Sequence, residues 1–150
     1  MQRVDEFFPR DYADGRARFL ALTQAAGFST TSFIHPARRA PDGGELACDV
    51  AWSGPAAASR LLIISSGTHG VEGFCGSGAQ AALLASGALD GMPADAAVLL
   101  VHAVNPYGFA HLRRTNEDNI DLNRNFIDHS RTPANPGYDE IHGWLVPESW

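Results

Sequence analysis

The residues whose types and spacing best suit chemistry are His69 and Glu72, which stand three positions apart in the glycine-rich segment GTHGVEG. In a tight turn, or on one face of a helical turn, an imidazole and a carboxylate at this spacing reach the same divalent ion. Nitrogen and oxygen ligands together suit Zn²⁺, and a catalytic zinc site adds one more protein ligand and leaves a position for water. Taken alone the spacing is a weak signal, and its alternative is that His69 caps a turn while Glu72 is solvated.

A second group of polar residues lies in the segment NPYGFAHLRRTNEDNIDLNRNF, which follows the next apolar stretch of the chain. Arg113, Arg114 and Arg124 supply planar donors that match a carboxylate. Asn123 adds a neutral amide, so the predicted ligand of this segment is an anionic group. Asp121 is placed to accept the spare ring N–H of a metal-bound histidine and to fix its tautomer. The alternative is an exposed turn whose arginines and aspartates pair with one another.

Two apolar strands are predicted to position these groups. Residues 60–66 (RLLIISS) and 96–104 (AAVLLVHAV) have the nearly continuous apolar character of buried strands, and residues 79–85 favour a helix between them. A strand, a helix and a second strand form a crossover unit with parallel strands. Because ligands bind beyond the carboxyl ends of such strands, both polar segments are expected to open on the same side of the sheet.

The rest of the chain predicts an opening helix over 12–26 and a hairpin of strands 31–35 and 45–52 around the turn-forming residues 41–44. The sheet is therefore expected to be mixed, with a parallel centre. From residue 105 onward the sequence is polar and loop-rich, and it predicts little regular structure. Because so long an irregular tail is improbable in a complete compact domain, further elements of the fold are expected beyond it.

Composition excludes several classes of partner and chemistry. The 150 residues are 45% apolar, which suffices for one folded domain, and a formal net charge of −6 argues against nucleic acid or an anionic membrane as a partner. All 11 basic residues are arginine, so lysine nucleophiles and Schiff bases are excluded. The two cysteines give no disulfide framework, and the sequence shows neither a signal peptide nor an apolar run of membrane-spanning length, so a cytoplasmic location is expected.

Several of these motifs, taken in order, resemble a known superfamily. A strand followed by HGVEG, then NPYGF, an arginine segment and DLNRNF resemble the zinc carboxypeptidase superfamily, which includes the succinylglutamate desuccinylase and aspartoacylase branch. The resemblance covers residues 61–126, and the segment SSGTHGVEGFCGSGAQ is similar to sequences of a bacterial branch of that superfamily. It implies a three-layer α/β/α sandwich around a mixed, mostly parallel sheet, with residues 1–150 as the N-terminal portion of one catalytic domain.

The resemblance assigns a role to each candidate site residue. It implies a zinc-dependent hydrolase that cleaves an amide bond in a peptide or N-acyl amino acid bearing a free carboxylate. The alternatives are an aspartoacylase-like deacylase or esterase of small acylated substrates, and a catalytically incomplete fragment that binds a carboxylate. The implied site consists of the zinc ligands His69 and Glu72, the histidine-orienting Asp121, the substrate-binding Asn123 and Arg124, and Arg114 or else Arg113 as the oxyanion-stabilising residue.

The remaining histidines do not complete that site. The superfamily's third zinc ligand is a histidine well downstream of DLNRNF and its general-base glutamate lies farther still, and neither is recognisable in this sequence. His129 and His142 are available, but they belong to the segment just after DLNRNF. His102 lies in a predicted buried strand and is expected to be a hydrogen-bonded core residue. His35 and His111 are expected at the surface or in loops.

Overall fold

The computed structural model describes residues 4–131 and 134–149, so the predictions for residues 132, 133 and 150 lie outside the described residues. None of the described helices is long and apolar enough to cross a membrane. After a short 3-10 helix at Val4–Phe7, the elements are α1 (Tyr12–Ala25), β1 (Ser29–Arg39), β2 (Glu45–Ser53), β3 (Arg60–Ser65), α2 (Glu72–Ala85), β4 (Ala96–His102), α3 (Pro106–Ala110) and α4 (Pro136–Leu145).

The four strands form one sheet in the order β1-β2-β4-β3. β1 and β2 form the predicted antiparallel hairpin, β2 pairs antiparallel with β4, and β3 pairs parallel with β4. The segment from β3 through α2 to β4 is the predicted crossover unit, and the α/β class with a mixed sheet is confirmed. Among the described strands, the parallel pairing is one of three, and it brings the carboxyl ends of β3 and β4 to the same edge.

The helices α1 and α2 pack against one face of this sheet. Phe19 of α1 stacks on the His102 ring with 4.9 Å between ring centroids, and the Ser77 hydroxyl of α2 lies 2.9 Å from Nε2 of the same ring. His102 is fully buried, as predicted. Leu61 and Ile63 of β3 point to the opposite face and are 50% and 57% exposed. The helices α1 and α2 therefore form one layer, and the described residues leave the opposite face of β3 open.

Two parts of the secondary structure differ from the prediction. α2 begins at Glu72 rather than at residue 79, because its glycines allow close packing: a Cβ at Gly73 would lie 2.8 Å from the Phe109 ring. α3 and α4 lie in the tail for which little regular structure is predicted. Each begins with an asparagine whose side chain accepts a main-chain N–H, followed by a proline in the first turn.

Candidate metal site

The turn between β3 and α2, residues 67–73, is here called the metal turn and carries His69 and Glu72. Gly67 has a φ of +67°, in the left-handed region, which lets the chain turn away directly after β3. The His69 carbonyl accepts the Gly73 N–H at 3.1 Å, so helical hydrogen bonding already starts at His69. His69 and Glu72 therefore share one helical turn, as their spacing predicts.

The His69 ring lies between two carboxylates. Its Nδ1 is 3.4 Å from Oε1 of Glu72, and its Nε2 is 3.0 Å from Oδ1 of Asp121. An ionised carboxylate only accepts hydrogen bonds, so the ring proton belongs on the nitrogen that faces Asp121 at the shorter distance. Nδ1 then presents its lone pair toward the Glu72 carboxylate. Two electron-pair donors thus face each other, which is the arrangement that a shared cation requires.

Asp121 is held in its ionised form. Partial burial acts to raise the pKa of Asp121, but hydrogen bonds from Arg114 and His69 and from the Asn123 main chain outweigh it and hold this pKa at about 2. The side chain is 18% exposed, and that of His69 is 12% exposed. The contact between them is therefore shielded from water, whereas Glu72 is 64% exposed and open to a ligand.

Arg114 shares the Asp121 carboxylate with His69. Nε of Arg114 donates to Oδ2 at 2.8 Å, while His69 contacts Oδ1. In the described part of the chain, neither terminal nitrogen of Arg114 has a hydrogen-bond partner. Arg114 therefore keeps four N–H groups for a ligand.

The arginine loop, defined as residues 113–123, is joined to the metal turn by main-chain contacts. The Gly70 N–H donates to the Arg113 carbonyl at 2.9 Å. A Cβ at Gly70 would lie 2.0 Å from the carbonyl oxygen of Gly108 and 2.2 Å from that of Arg113. Both contacts are with main-chain atoms, so only glycine allows the two segments to approach this closely.

Of the other predicted site residues, Arg113 bonds within the arginine loop, and Asn123 and Arg124 bond to Asp121. Nη2 of Arg113 donates to Oδ1 of Asn119 at 3.1 Å, within the arginine loop. Asn123 and Arg124 are anchored through their main chain, because their N–H groups donate to Oδ1 and to the carbonyl of Asp121 at 2.9 and 3.0 Å. Their side chains are exposed and make no hydrogen bond or ion pair with the residues that the structure describes.

A third ligand does not join His69 and Glu72. Over residues 4–131 and 134–149, no three His, Cys, Asp or Glu side chains form a group that could hold a metal ion. Nδ1 of His142, on α4, lies 2.8 Å from the Tyr138 hydroxyl, and His129 is exposed. The donor types fit two of the three protein ligands of a catalytic zinc site.

The structure also brings together two residues that the sequence does not connect. His35, expected at the surface or in a loop, lies in β1 with its side chain 13% exposed. Its Nε2 is 2.9 Å from Oε1 of Glu117, in the arginine loop. Pro36 is a sequence signal for a bulge in an edge strand, but no local signal relates residues 82 positions apart.

These observations define an α/β protein with a candidate metal site at the carboxyl ends of its parallel strands. The chain belongs to the family described as "Protein of unknown function (DUF2817)", whose model matches residues 8–150. The predicted membership of the zinc carboxypeptidase superfamily is wrong, because the matching model is that of this other family. Short motifs such as HGVEG and DLNRNF do not by themselves identify a superfamily.

Solved structures similar to this chain include glutaminyl cyclases. The enzyme from Fimbriiglobus ruber is 13% identical with a TM-score of 0.44, over 65% of this chain and 40% of that chain. Two structures of the Porphyromonas gingivalis enzyme are 22% and 15% identical with TM-scores of 0.44 and 0.47, over 71% and 87% of this chain and 44% and 55% of those chains. This chain therefore spans about half the length of these proteins. No curated protein matches it.

Proposed function

We propose that this chain provides a Zn²⁺ site for hydrolysis of an amide bond in a peptide or N-acyl amino acid that bears a free carboxylate. One observation carries the proposal: Asp121 takes the Nε2 side of His69, which leaves the Nδ1 lone pair 3.4 Å from the Glu72 carboxylate. At such a site Zn²⁺ supplies Lewis-acid chemistry, polarising a carbonyl and making water a better nucleophile. His69 and Glu72 would hold it.

The arginine loop suits the charge that amide hydrolysis develops. The terminal N–H groups of Arg114 can donate to a carbonyl oxygen as it becomes negative, while its Nε stays on Asp121. Arg113 is the weaker choice for this role, because one of its terminal nitrogens already donates to Asn119. Because Asp121 contacts both His69 and Arg114, it would set the position of Arg114 relative to the metal.

Asn123 and Arg124 suit recognition of the substrate carboxylate. Both are anchored through main-chain hydrogen bonds to Asp121, and their side chains have no partner in the described ranges. A guanidinium binds a carboxylate through two parallel hydrogen bonds, and a neutral amide adds a further donor.

Zinc binding tests the metal ligands. We expect Zn²⁺ to bind the purified chain in calorimetry and elemental analysis, and Glu72→Gln to weaken the affinity by more than about 100-fold, beyond the usual loss for an outer-shell partner. His69→Ala should do the same. Glu140→Gln, which alters an exposed carboxylate on α4, is the matched control and should leave the affinity unchanged. Equal zinc binding by wild type and Glu72→Gln would reject the site.

A second candidate function is carboxylate binding without turnover, and the two-ligand set of the described residues favours it. A panel of short peptides with free C-termini, small N-acyl amino acids and esters, assayed with added Zn²⁺, separates the two functions. Turnover of peptides supports a peptidase, whereas turnover of the small substrates supports a deacylase or esterase. Binding that disappears in Arg124→Ala, without any turnover, supports the second candidate.

A further inference from the structure

The C-terminal end of β1 reaches the arginine loop through an irregular segment. Between the paired residues Ile34–Ala47 and Arg39–Glu45, β1 advances five residues while β2 advances two. Such bulges redirect side chains away from the regular alternation of a strand. The bulged segment contains His35, and its side chain contacts the loop rather than a neighbouring strand.

The hydrogen bonds of His35 fix its tautomer. Its Nδ1 accepts the main-chain N–H groups of Ala37 and Arg38 at 3.3 and 3.1 Å. The ring proton is therefore on Nε2, which donates to Oε1 of Glu117 at 2.9 Å. The two side chains are only 13% and 24% exposed, so water competes for this contact less than for a surface pair.

Glu117 is held in its ionised form at this contact. Partial burial acts to raise the pKa of Glu117, but its own main-chain N–H and the hydrogen bond from His35 outweigh that effect and lower the pKa. The nearby charge of Arg38 acts in the same direction. The carboxylate thus remains an acceptor for the His35 ring at neutral pH.

Glu117 belongs to a loop with its own internal order. Oδ1 of Asn116 accepts the N–H groups of Asp118 and Ile120 at 3.1 and 2.8 Å, and the Asn116 N–H donates to the Ile120 carbonyl at 3.0 Å. Oδ1 of Asn119 accepts hydrogen bonds from both Arg113 and Thr115. Together with the bond from Arg114 to Asp121, these hydrogen bonds connect residues 113–121, so a contact at Glu117 also constrains the position of Asp121.

The bulged segment makes a second contact just before the loop. Nε2 of His111 lies 2.9 Å from the Arg39 carbonyl oxygen. The stretch 111–117 is therefore tied to the end of β1 at both of its ends. On its other side the arginine loop contacts the metal turn through Gly70 and His69.

We propose that His35 is a positioning residue for the metal site. By holding Glu117 it fixes the arginine loop from the β1 side, and the loop in turn presents Asp121 to His69. The expected effect of His35 on Zn²⁺ affinity rests on the proposed function. The expected effect of His35 on the orientation of the His69 ring does not depend on that function, because it can be measured in the metal-free chain.

The test measures the His69 ring in the metal-free chain and then the Zn²⁺ affinity. In long-range ¹H–¹⁵N NMR spectra of the wild type, we expect His69 to show a protonated Nε2 that is protected from exchange by Asp121. In His35→Ala this protection should be lost, and the Zn²⁺ affinity should fall by about tenfold, at the lower end for loss of an outer-shell partner. Glu117→Ala should match it, and the double variant should add nothing further.

Two further variants separate positioning from loss of stability. Glu117→Gln keeps an acceptor for the His35 ring, so this variant should retain the His69 signal that Glu117→Ala loses. Arg60→Ala removes an exposed ion pair with Asp95, in a different part of the sheet, and should leave that signal unchanged. An unchanged His69 signal in His35→Ala, or an equal loss in Arg60→Ala, would overturn the proposal. A wild type that shows the signal but binds no zinc would instead reject the proposed function and leave the role of His35 intact.

Discussion

At the scale of single residues, one carboxylate organises the candidate site. Oδ1 of Asp121 contacts His69 and Oδ2 accepts from Arg114, so the candidate metal ligand and the Arg114 guanidinium are held by the two oxygens of one group. A carboxylate can serve both because each oxygen is an acceptor. An amide has one acceptor oxygen and one donor nitrogen, so it can serve only one of them.

We therefore expect Asp121→Asn to weaken Zn²⁺ binding by about 10- to 100-fold, the usual loss when an outer-shell partner of a histidine ligand is replaced. The substitution nearly preserves shape, so the loss reports the hydrogen bonds rather than packing. Calorimetric titration with Zn²⁺ measures it. Asp118→Asn, in the same loop, is the control, because no hydrogen bond of the Asp118 side chain is present among the described residues. Equal affinities in the two variants would contradict the role of Asp121.

At the scale of elements, the site depends on how closely the metal turn and the arginine loop approach. Gly70 lies where they meet, with main-chain carbonyl oxygens 2.0 and 2.2 Å from the position of a Cβ. Carbonyl oxygens of the main chain cannot move aside as the end of a flexible side chain does. A methyl group at Gly70 must therefore push the two segments apart.

We expect Gly70→Ala to lower the free energy of unfolding by about 2 kcal/mol or more, as overpacking against fixed atoms does. It should also separate His69 from Asp121 and weaken Zn²⁺ binding. Denaturant unfolding and zinc calorimetry measure the two effects. Gly91→Ala is the matched control, since nothing lies within 4 Å of its added Cβ, and its stability should stay within about 0.5 kcal/mol of wild type. Similar stabilities of the two variants would show that the junction can relax.

The same glycines explain how far the elements could be predicted from the sequence. The apolar runs of β3 and β4 and the helix α1 are visible because their burial depends on local composition. The sequence predicts the start of α2 too late because Gly73 and Gly76 suggest a turn, whereas in the structure they admit the Phe109 ring and the Ser66 side chain. The starts of α3 and α4 do have a local signal in the sequence, an asparagine followed by a proline.

The candidate site, too, contains contacts that the sequence predicts and one contact that it does not. His69 and Glu72 share one helical turn, so their spacing brings them together. Asp121 lies in the segment that follows β4, and the parallel pairing of β3 and β4 places that segment on the same side of the sheet as the metal turn. The contact between His35 and Glu117 depends on a bulge and on a loop conformation. Neither follows from periodicity, because each is decided by tertiary contacts between distant parts of the chain.

At the scale of the whole molecule, a polar group lies at the centre of the helix–sheet interface. His102 is fully buried beneath α1 and α2, its Nε2 contacts Ser77, and its Nδ1 has no hydrogen-bond partner in the described residues. Burial lowers the pKa of His102 to about 4, although the neighbouring Asp49 carboxylate acts in the opposite direction. The fold therefore depends on a neutral imidazole at its centre.

This dependence predicts how the stability of the molecule changes with pH. The folded pKa of His102 is about 4 and the unfolded value is 6.5, so the unfolded chain takes up a proton that the folded chain excludes. Above pH 6.5 His102 is neutral in both the folded and the unfolded state, and its contribution to the free energy of unfolding is fully present. As the pH falls from 6.5 to 4, the free energy of unfolding should decrease by about 3 kcal/mol through this group, and below 4 its contribution is constant.

Urea unfolding of the wild type and of His102→Asn at intervals between pH 7.5 and 4 tests this contribution. The variant is expected to be less stable at pH 7.5, because a smaller side chain replaces one that Phe19 and Ser77 contact. Its stability should nevertheless depend less on pH, since it lacks the buried group that titrates on unfolding, while the other histidines and the carboxylates act alike in both proteins. The free energy of unfolding of the wild type, relative to that of the variant, should therefore fall by about 3 kcal/mol between pH 7.5 and pH 4. Parallel curves would mean that His102 takes up no additional proton on unfolding and that burial does not keep it neutral.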